Sequence, residues 1–392
     1  MKKQTEAIHT AYQLPDAYGA LSMPVYHSVA YEFKNAAEMA DAFCGRSDMP
    51  DYSRVTNPTV TYFENRVKAL TGAENVIALS SGMAAISNAL MAVSGAGKNI
   101  ISSCHMFGNT FSLISNTLLR FGVTSKLCNL TDVEMVERMV DADTCCIYVE
   151  IITNPQMEVA DLRALSQVTK RYNIPLIADT TMIPFTEFSA RDLGVDIEVV
   201  SSTKYLSGGA TSIGGLVIDY GTCEGFGKRM KTEMLHNFGA YMTPQVAYMH
   251  TLGSETLSVR YRQQSSNALE LAKLLCTLPS VCKVNYVGLK DNSYHDLAKK
   301  QFGETAGAML TIELESCSAC FDFINRLKLI RRATNLFDNR SLAIHPASTI
   351  FGNFTQQQRD SMDVLDTTVR ISVGLEAVED LFDDIRQALE QE

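Results

Sequence analysis

The chain has no run of apolar residues approaching the about eighteen that a membrane span requires. Its opening, MKKQTEAIHTAYQLPDAYG, lacks the apolar core of a secretory signal, so a cytoplasmic protein is expected. Positive charge is in short supply: 34 lysines and arginines face 44 acids, for a net charge of −10. That balance argues against nucleic acid or an anionic membrane surface as the main partner, while leaving room for a local basic pocket that takes a small anion. The ten cysteines form no dense framework over 392 residues, which points to reduced thiols rather than disulfides. Cys317 and Cys320 make a lone CxxC in a helical-looking segment. Without a second pair, or histidines at ligand spacing, no metal site is expected there. No internal repeat or low-complexity tract is evident.

What is present is an ordinary globular composition, 46% hydrophobic and 20% charged, in a chain long enough for two domains. Residues 1–60 contain few periodic segments and carry Pro15, Pro24, Pro50 and Pro58, and they read as an extended arm. Over 61–240, short β-branched runs such as NVIAL, NIISS, TCCIYVEII, IPLIADTT and IEVVSSTK alternate with amphipathic stretches. That alternation predicts βαβ units and a mainly parallel sheet in a large domain. Over 241–392, a long helical section leads through AGAMLTIEL and a further helix to TVRISVGLE, which predicts a smaller C-terminal α/β domain.

Within the large domain, VVSSTKYLSGG sets Lys204 just beyond a β-branched run, between hydroxyl side chains and glycines. A lysine at the mouth of a buried strand can hold its amine desolvated and ready to condense with an aldehyde, although a lone lysine is more often a solvated surface charge. Upstream, the apolar run PLIAD ends in Asp179. An acid at the carboxyl end of a buried parallel strand sits where open α/β sheets place their ligands, and it could stabilise a protonated pyridine nitrogen. Together the two residues suggest pyridoxal phosphate. A phosphate needs a cradle, and ALSSGMAAISNALMAV supplies one as strand, turn and helix, with the amides of Gly82 and Met83 at the helix N-terminus. The alternative is that SSG merely caps a helix. GAGK, ending at Lys98, lacks the rest of a P-loop and reads as a turn.

The segments YSRVTNPTV, ALSSGMAAI, EIITNPQMEVADL, ADTT, SSTKYLSGGATSIGG, GSETLSVR, HPAST and VRISVGLE occur here in one order over nearly the whole chain. In that order they resemble the cysteine and methionine metabolism family of pyridoxal phosphate enzymes. The resemblance implies the aspartate aminotransferase-like fold of fold type I enzymes. The family includes cystathionine synthases and lyases, methionine γ-lyase and O-acylhomoserine sulfhydrylases.

The resemblance makes Lys204 the residue that bonds the cofactor aldehyde and later shuttles protons, and Asp179 the partner of the pyridine nitrogen. Gly82, Met83, Ser201 and Thr203 resemble phosphate ligands from the cofactor's own subunit, though such hydroxyls can also be ordinary strand-edge donors. Tyr52 and Arg54 resemble the pair that reaches a neighbouring subunit's phosphate, which implies shared active sites and, by family habit, a homotetramer built from dimers. Arg370 resembles the clamp for the substrate α-carboxylate, Asn154 a contact to the cofactor ring oxygen or that carboxylate, and Asn335 falls where relatives often have serine. From local sequence alone, Arg370 reads as a surface arginine at a strand start.

Two departures stand out. Many relatives place tyrosine at Phe107, where the ring stacks on the cofactor and the hydroxyl assists the leaving group; phenylalanine can stack but cannot donate a proton. A carboxylate ester leaves without such help, so the residue favours an O-acylhomoserine substrate. The second departure is SGGAT, where relatives carry a histidine. The expected activity is γ-replacement on O-acetylhomoserine or O-succinylhomoserine with sulfide or a small thiol. The alternatives are γ-elimination, as in methionine or cystathionine γ-lyase, cystathionine γ-synthase chemistry, and an idle relative kept for binding.

Overall fold

The computed structural model describes residues 2–10 and 18–390. Met1 and residues 11–17 of the expected arm, with Pro15 among them, and residues 391–392 of the expected C-terminal domain lie outside the described residues. Seven strands come first: β1 (Asn75–Leu79), β2 (Asn99–Ser102), β3 (Thr124–Leu127), β4 (Thr144–Glu150), β5 (Leu176–Asp179), β6 (Ile197–Val200) and β7 (Gly215–Asp219). Five follow: β8 (Lys283–Asn285), β9 (Met309–Glu313), β10 (Arg331–Arg332), β11 (Leu342–Ile344) and β12 (Thr368–Ser372). By contacts the chain forms two compact units, Met1–Val93 with Asp196–Glu255, and Ser94–Val195 with Thr256–Glu392.

In the first unit β7 pairs antiparallel with both β1 and β6. All five residues of β7 and all four of β6 are buried, so the apolar residues of GLVID and IEVV do not alternate with exposed polar ones, and the acids Glu198 and Asp219 are buried with them. The helix Gly82–Val93 buries Ala85, Ile86, Ala89 and Leu90, the spacing of one helical face. The helix Pro58–Thr71 begins where Asn57 accepts the N–H of Thr59 with proline in the first turn, and it ends at Gly72 with φ 69°. Buried Arg66 fastens this helix to Pro244–Glu255 by donating to the Thr251 carbonyl and the Glu255 carboxylate, each at 3.1 Å.

The stretch read as an arm is not wholly extended. It holds the helices Lys3–His9 and Ala36–Phe43, the second capped by Asn35 accepting from Glu38 N–H at 2.9 Å. Its extended part is tied to the helix start at Asn57: Tyr26 N–H donates to Thr59 Oγ1 at 3.0 Å, and Asn57 Nδ2 donates to the Tyr26 carbonyl at 2.9 Å.

In the second unit β2, β3, β4 and β5 run parallel in the order β5-β4-β2-β3. The helix Leu162–Tyr172 is capped by Asp161 accepting from Ala164 N–H at 3.0 Å and stopped by Asn173 in the left-handed region. The same unit carries a five-stranded sheet in the order β10-β11-β12-β9-β8, so TVRIS is its central strand, buried throughout. CSACFDFINR is helical as expected, with Cys317 exposed and Cys320 buried, both free thiols.

Candidate active site

In the first unit, β1 delivers the chain to Ser80 and Ser81 and the helix starts at Gly82. A Cβ at Gly82 would lie 2.7 Å from Ser201 Cβ and 2.9 Å from its Oγ. The two backbones approach so closely that only glycine fits, and the hydroxyl of Ser201 stands beside the first turn of a helix twelve residues long. β6 ends at Val200, and Ser201, Thr203 and Lys204 follow on a turn in which Lys204 N–H donates to the Ser201 carbonyl at 3.1 Å. Thr203 is fastened to the returning chain. Its Oγ1 accepts Gly214 N–H at 3.0 Å and donates to the Gly214 carbonyl at 3.2 Å. Ser207 Oγ caps the turn from the other side, donating to the carbonyls of Thr203 and Lys204 at 2.9 and 3.1 Å. The loop that lacks the relatives' histidine is thus ordered through Ser207 and Gly214. Tyr52 and Arg54 lie together, the guanidinium 5.7 Å from the ring centroid, and Arg54 Nη1 donates to the His236 carbonyl at 2.6 Å.

In the second unit Asp179 is the last residue of β5, as expected, with Oδ1 accepting Thr181 N–H at 2.9 Å and Oδ2 facing the Tyr148 hydroxyl at 3.5 Å. Phe107 precedes the short helix Gly108–Ser112. Asn154 is buried. Arg370 is the clearest correction to a local reading: on the central strand β12 it is 3% exposed. Its Nη1 donates to Asn154 Oδ1 at 3.0 Å and its Nη2 to the backbone carbonyl of Asn335 at 3.2 Å, while Nε has no partner. No carboxylate pairs with it among the described residues, and burial pulls its pKa below the ordinary arginine value.

Sequence reasoning missed two residues of this group. Glu150 ends β4 beside Asp179, its register partner on β5. The signal was present, since TCCIYVE and PLIAD are both apolar runs closed by an acid. Burial first, and the Asp179 charge second, push the Glu150 carboxyl up to about 8. His105 sits between Glu158, at 2.8 Å from Nδ1, and Asp363, at 3.2 Å from Nε2. Burial alone would lower its pKa, but Cys104 and Glu158 outweigh that and raise it to about 10.

These features fit the groups that pyridoxal phosphate and an amino acid would bring: a helix start with no room for a side chain suits a phosphate, and a buried arginine without an acid suits a carboxylate. A family model described as Cys/Met metabolism PLP-dependent enzyme matches residues 4–390. The chain belongs to this family. It is therefore a pyridoxal phosphate-dependent enzyme of the fold type I class, acting on a small amino-acid substrate. Among its family relatives, the L-methionine gamma-lyase of Fusobacterium nucleatum subsp. nucleatum is 36% identical, covering 100% of this chain and 99% of that protein. A solved structure from Campylobacter jejuni subsp. jejuni, described as an O-acetylhomoserine (thiol)-lyase and carrying a pyridoxyl-lysine phosphate, superposes with a TM-score of 0.96. It is 31% identical and covers 100% of both chains. The O-acetylhomoserine sulfhydrylase of Wolinella succinogenes is 42% identical, with a TM-score of 0.77, covering 85% of this chain and 97% of that one. No helix among the described residues is long and apolar enough to cross a membrane.

Proposed function

We propose that this enzyme replaces the acetoxy group of O-acetylhomoserine with sulfide, giving homocysteine and acetate. The observation that carries this reading is Phe107. Its ring offers an apolar face for stacking but no proton, and an acetate leaving group needs none, whereas a thiolate leaves poorly without one. The sulfhydrylase relatives support the same reading.

The cofactor, when bound, supplies an aldehyde for the substrate amine and a protonated ring that takes up the electron pair released at Cα. Asp179 would accept the ring N–H and keep the nitrogen protonated. The amides of Gly82 and Met83 and the hydroxyls of Ser201 and Thr203 would hold the phosphate, Thr203 while fastened to Gly214. Tyr52 and Arg54 would reach the phosphate of a neighbouring copy in a homotetramer. Arg370 would bind the substrate α-carboxylate through its guanidinium, with Asn154 and Asn335 fixing the guanidinium plane. Lys204 Nζ is the base that takes the Cα proton and returns one when sulfur has joined Cγ. A sulfide or small thiol as co-substrate and a cytoplasmic setting belong to this reading.

A second reading, γ-elimination to 2-oxobutanoate and ammonia, is supported by the likeness to methionine γ-lyase. The two differ in whether sulfur or water ends the reaction. Assaying the purified holoenzyme with O-acetylhomoserine plus sulfide, and separately with methionine, tests the choice. Homocysteine from the first with little 2-oxobutanoate from the second supports replacement, and rapid methionine breakdown overturns it.

A further inference from the structure

Glu150 has no role in the reading above, yet two groups that reading depends on are attached to it. It is 8% exposed. One carboxyl oxygen accepts the N–H of Phe107 at 2.7 Å, and the other accepts the N–H of Asn154 at 3.3 Å. Phe107 carries the stacking ring, and Asn154 carries Arg370 on its side-chain oxygen at 3.0 Å. We propose that Glu150 is a positioning residue whose single carboxyl fixes, through two backbone amides, both the ring that covers the cofactor and the amide that aims the carboxylate-binding arginine. The inference rests on the assignment of Phe107 and Arg370 to cofactor and substrate.

The placement is costly for an acid, which marks it as more than a filler of space. A buried carboxyl beside a like-charged neighbour, Asp179, is disfavoured on both counts, and the two amide donors are what counter it. A glutamine has the same size and would satisfy a purely space-filling role. It would not satisfy this one, because it offers one acceptor oxygen and sets its NH₂ group against the second N–H.

The test is Glu150→Gln in the full-length holoenzyme. The expected result is a KM for O-acetylhomoserine raised about tenfold with a smaller loss in kcat, as expected when an uncompensated hydrogen bond misaligns a binding group. The visible circular dichroism of the bound cofactor should weaken, and the cofactor's own dissociation constant should rise. Glu150→Asp, which keeps a carboxyl group but cannot span both amides, should move KM in the same direction. Unchanged KM and dichroism in Glu150→Gln, with only thermal stability altered, would overturn the proposal. Should neither variant fold, hydrogen exchange at the Phe107 and Asn154 amides of the wild-type holoenzyme decides: slow exchange at both supports the shared anchor, and unprotected exchange at either removes it. Arg370→Ala separates this inference from the functional reading. If Arg370→Ala raises KM while Glu150→Gln does not, the reading stands and the inference falls; if Arg370→Ala leaves KM unchanged, the reading itself fails.

Discussion

Arg370 donates to the side-chain oxygen of Asn154 at 3.0 Å, so a buried guanidinium rests on a neutral amide where a carboxylate would ordinarily neutralise it. On the proposed function, that positive charge is left for the substrate carboxylate. Replacing Asn154 with aspartate would give Arg370 a permanent internal anion. Asn154→Asp should raise KM for the amino acid by about tenfold or more, because substrate must then displace a charge-assisted bond. Steady-state kinetics check this, and an unchanged KM would mean that Arg370 does not meet the carboxylate.

Gly82 lies so close to Ser201 that a methyl group would sit 2.7 Å from the serine Cβ. Gly82→Ala should force the helix start away from Ser201 and weaken cofactor binding by about tenfold, on the scale of one lost charge-assisted hydrogen bond. Equilibrium dialysis against pyridoxal phosphate measures the effect, which should appear as a lowered affinity in a protein that still folds.

On the proposed function, Phe107→Tyr would set a hydroxyl near the leaving group. A positioned acid contributes about 10² to 10⁴ in rate, and a newly introduced, unoptimised one should give the lower end or less for a thiol leaving group. The expected outcome is faster 2-oxobutanoate formation from methionine, with the rate on O-acetylhomoserine little changed.

Two groups, the buried Glu150 and the half-buried His105, make stability fall as pH rises. The Glu150 carboxyl is raised to about 8, so the folded chain holds a proton there that the unfolded chain releases from about pH 4.5 upward. The His105 imidazole, held by Cys104 and Glu158 against the cost of burial, is raised to about 10, and the unfolded chain releases that proton from about pH 6.5. Both contributions are complete below the unfolded values and are lost as pH climbs through the folded ones. At saturating cofactor, Tm should therefore drop by several degrees between pH 6.5 and 9, and His105→Gln should flatten the decline above pH 8. A Tm that rises over this range would contradict both assignments.

Arg54 shares its surroundings with Tyr52 and donates to the His236 carbonyl, with no acid paired to it among the described residues. If it serves a neighbouring copy, Arg54→Ala and Lys204→Ala should each be inactive alone. Verified mixed dimers should then recover up to about one half of wild-type activity, since one of the two sites in each mixed dimer is intact. No recovery would assign Arg54 to its own subunit.

Much of this was legible in the chain. PLIAD placed Asp179 at a strand end, and ALSSGMAAI gave the strand, turn and helix around Gly82, because both signals are local runs of burial and capping. Arg370 read locally as exposed because nothing in TVRIS reveals that β12 lies between β9 and β11, each of which is distant in sequence. The antiparallel run of β7 against β1 was equally hidden, since it pairs Asn75 with Asp219. Glu150 escaped notice because its partners are backbone amides, which no side-chain pattern records. The helices inside the arm were obscured by the prolines around them.

On the proposed function, sulfur rather than water ends the reaction. The direct measurement is the ratio of homocysteine to 2-oxobutanoate formed by the holoenzyme from O-acetylhomoserine as sulfide is raised stepwise at fixed ester. The expected ratio climbs with sulfide until homocysteine is nearly the sole product and acetate release matches it one for one. A ratio that stays low and independent of sulfide, with 2-oxobutanoate and ammonia accounting for the acetate released, would contradict it and make the enzyme a γ-lyase.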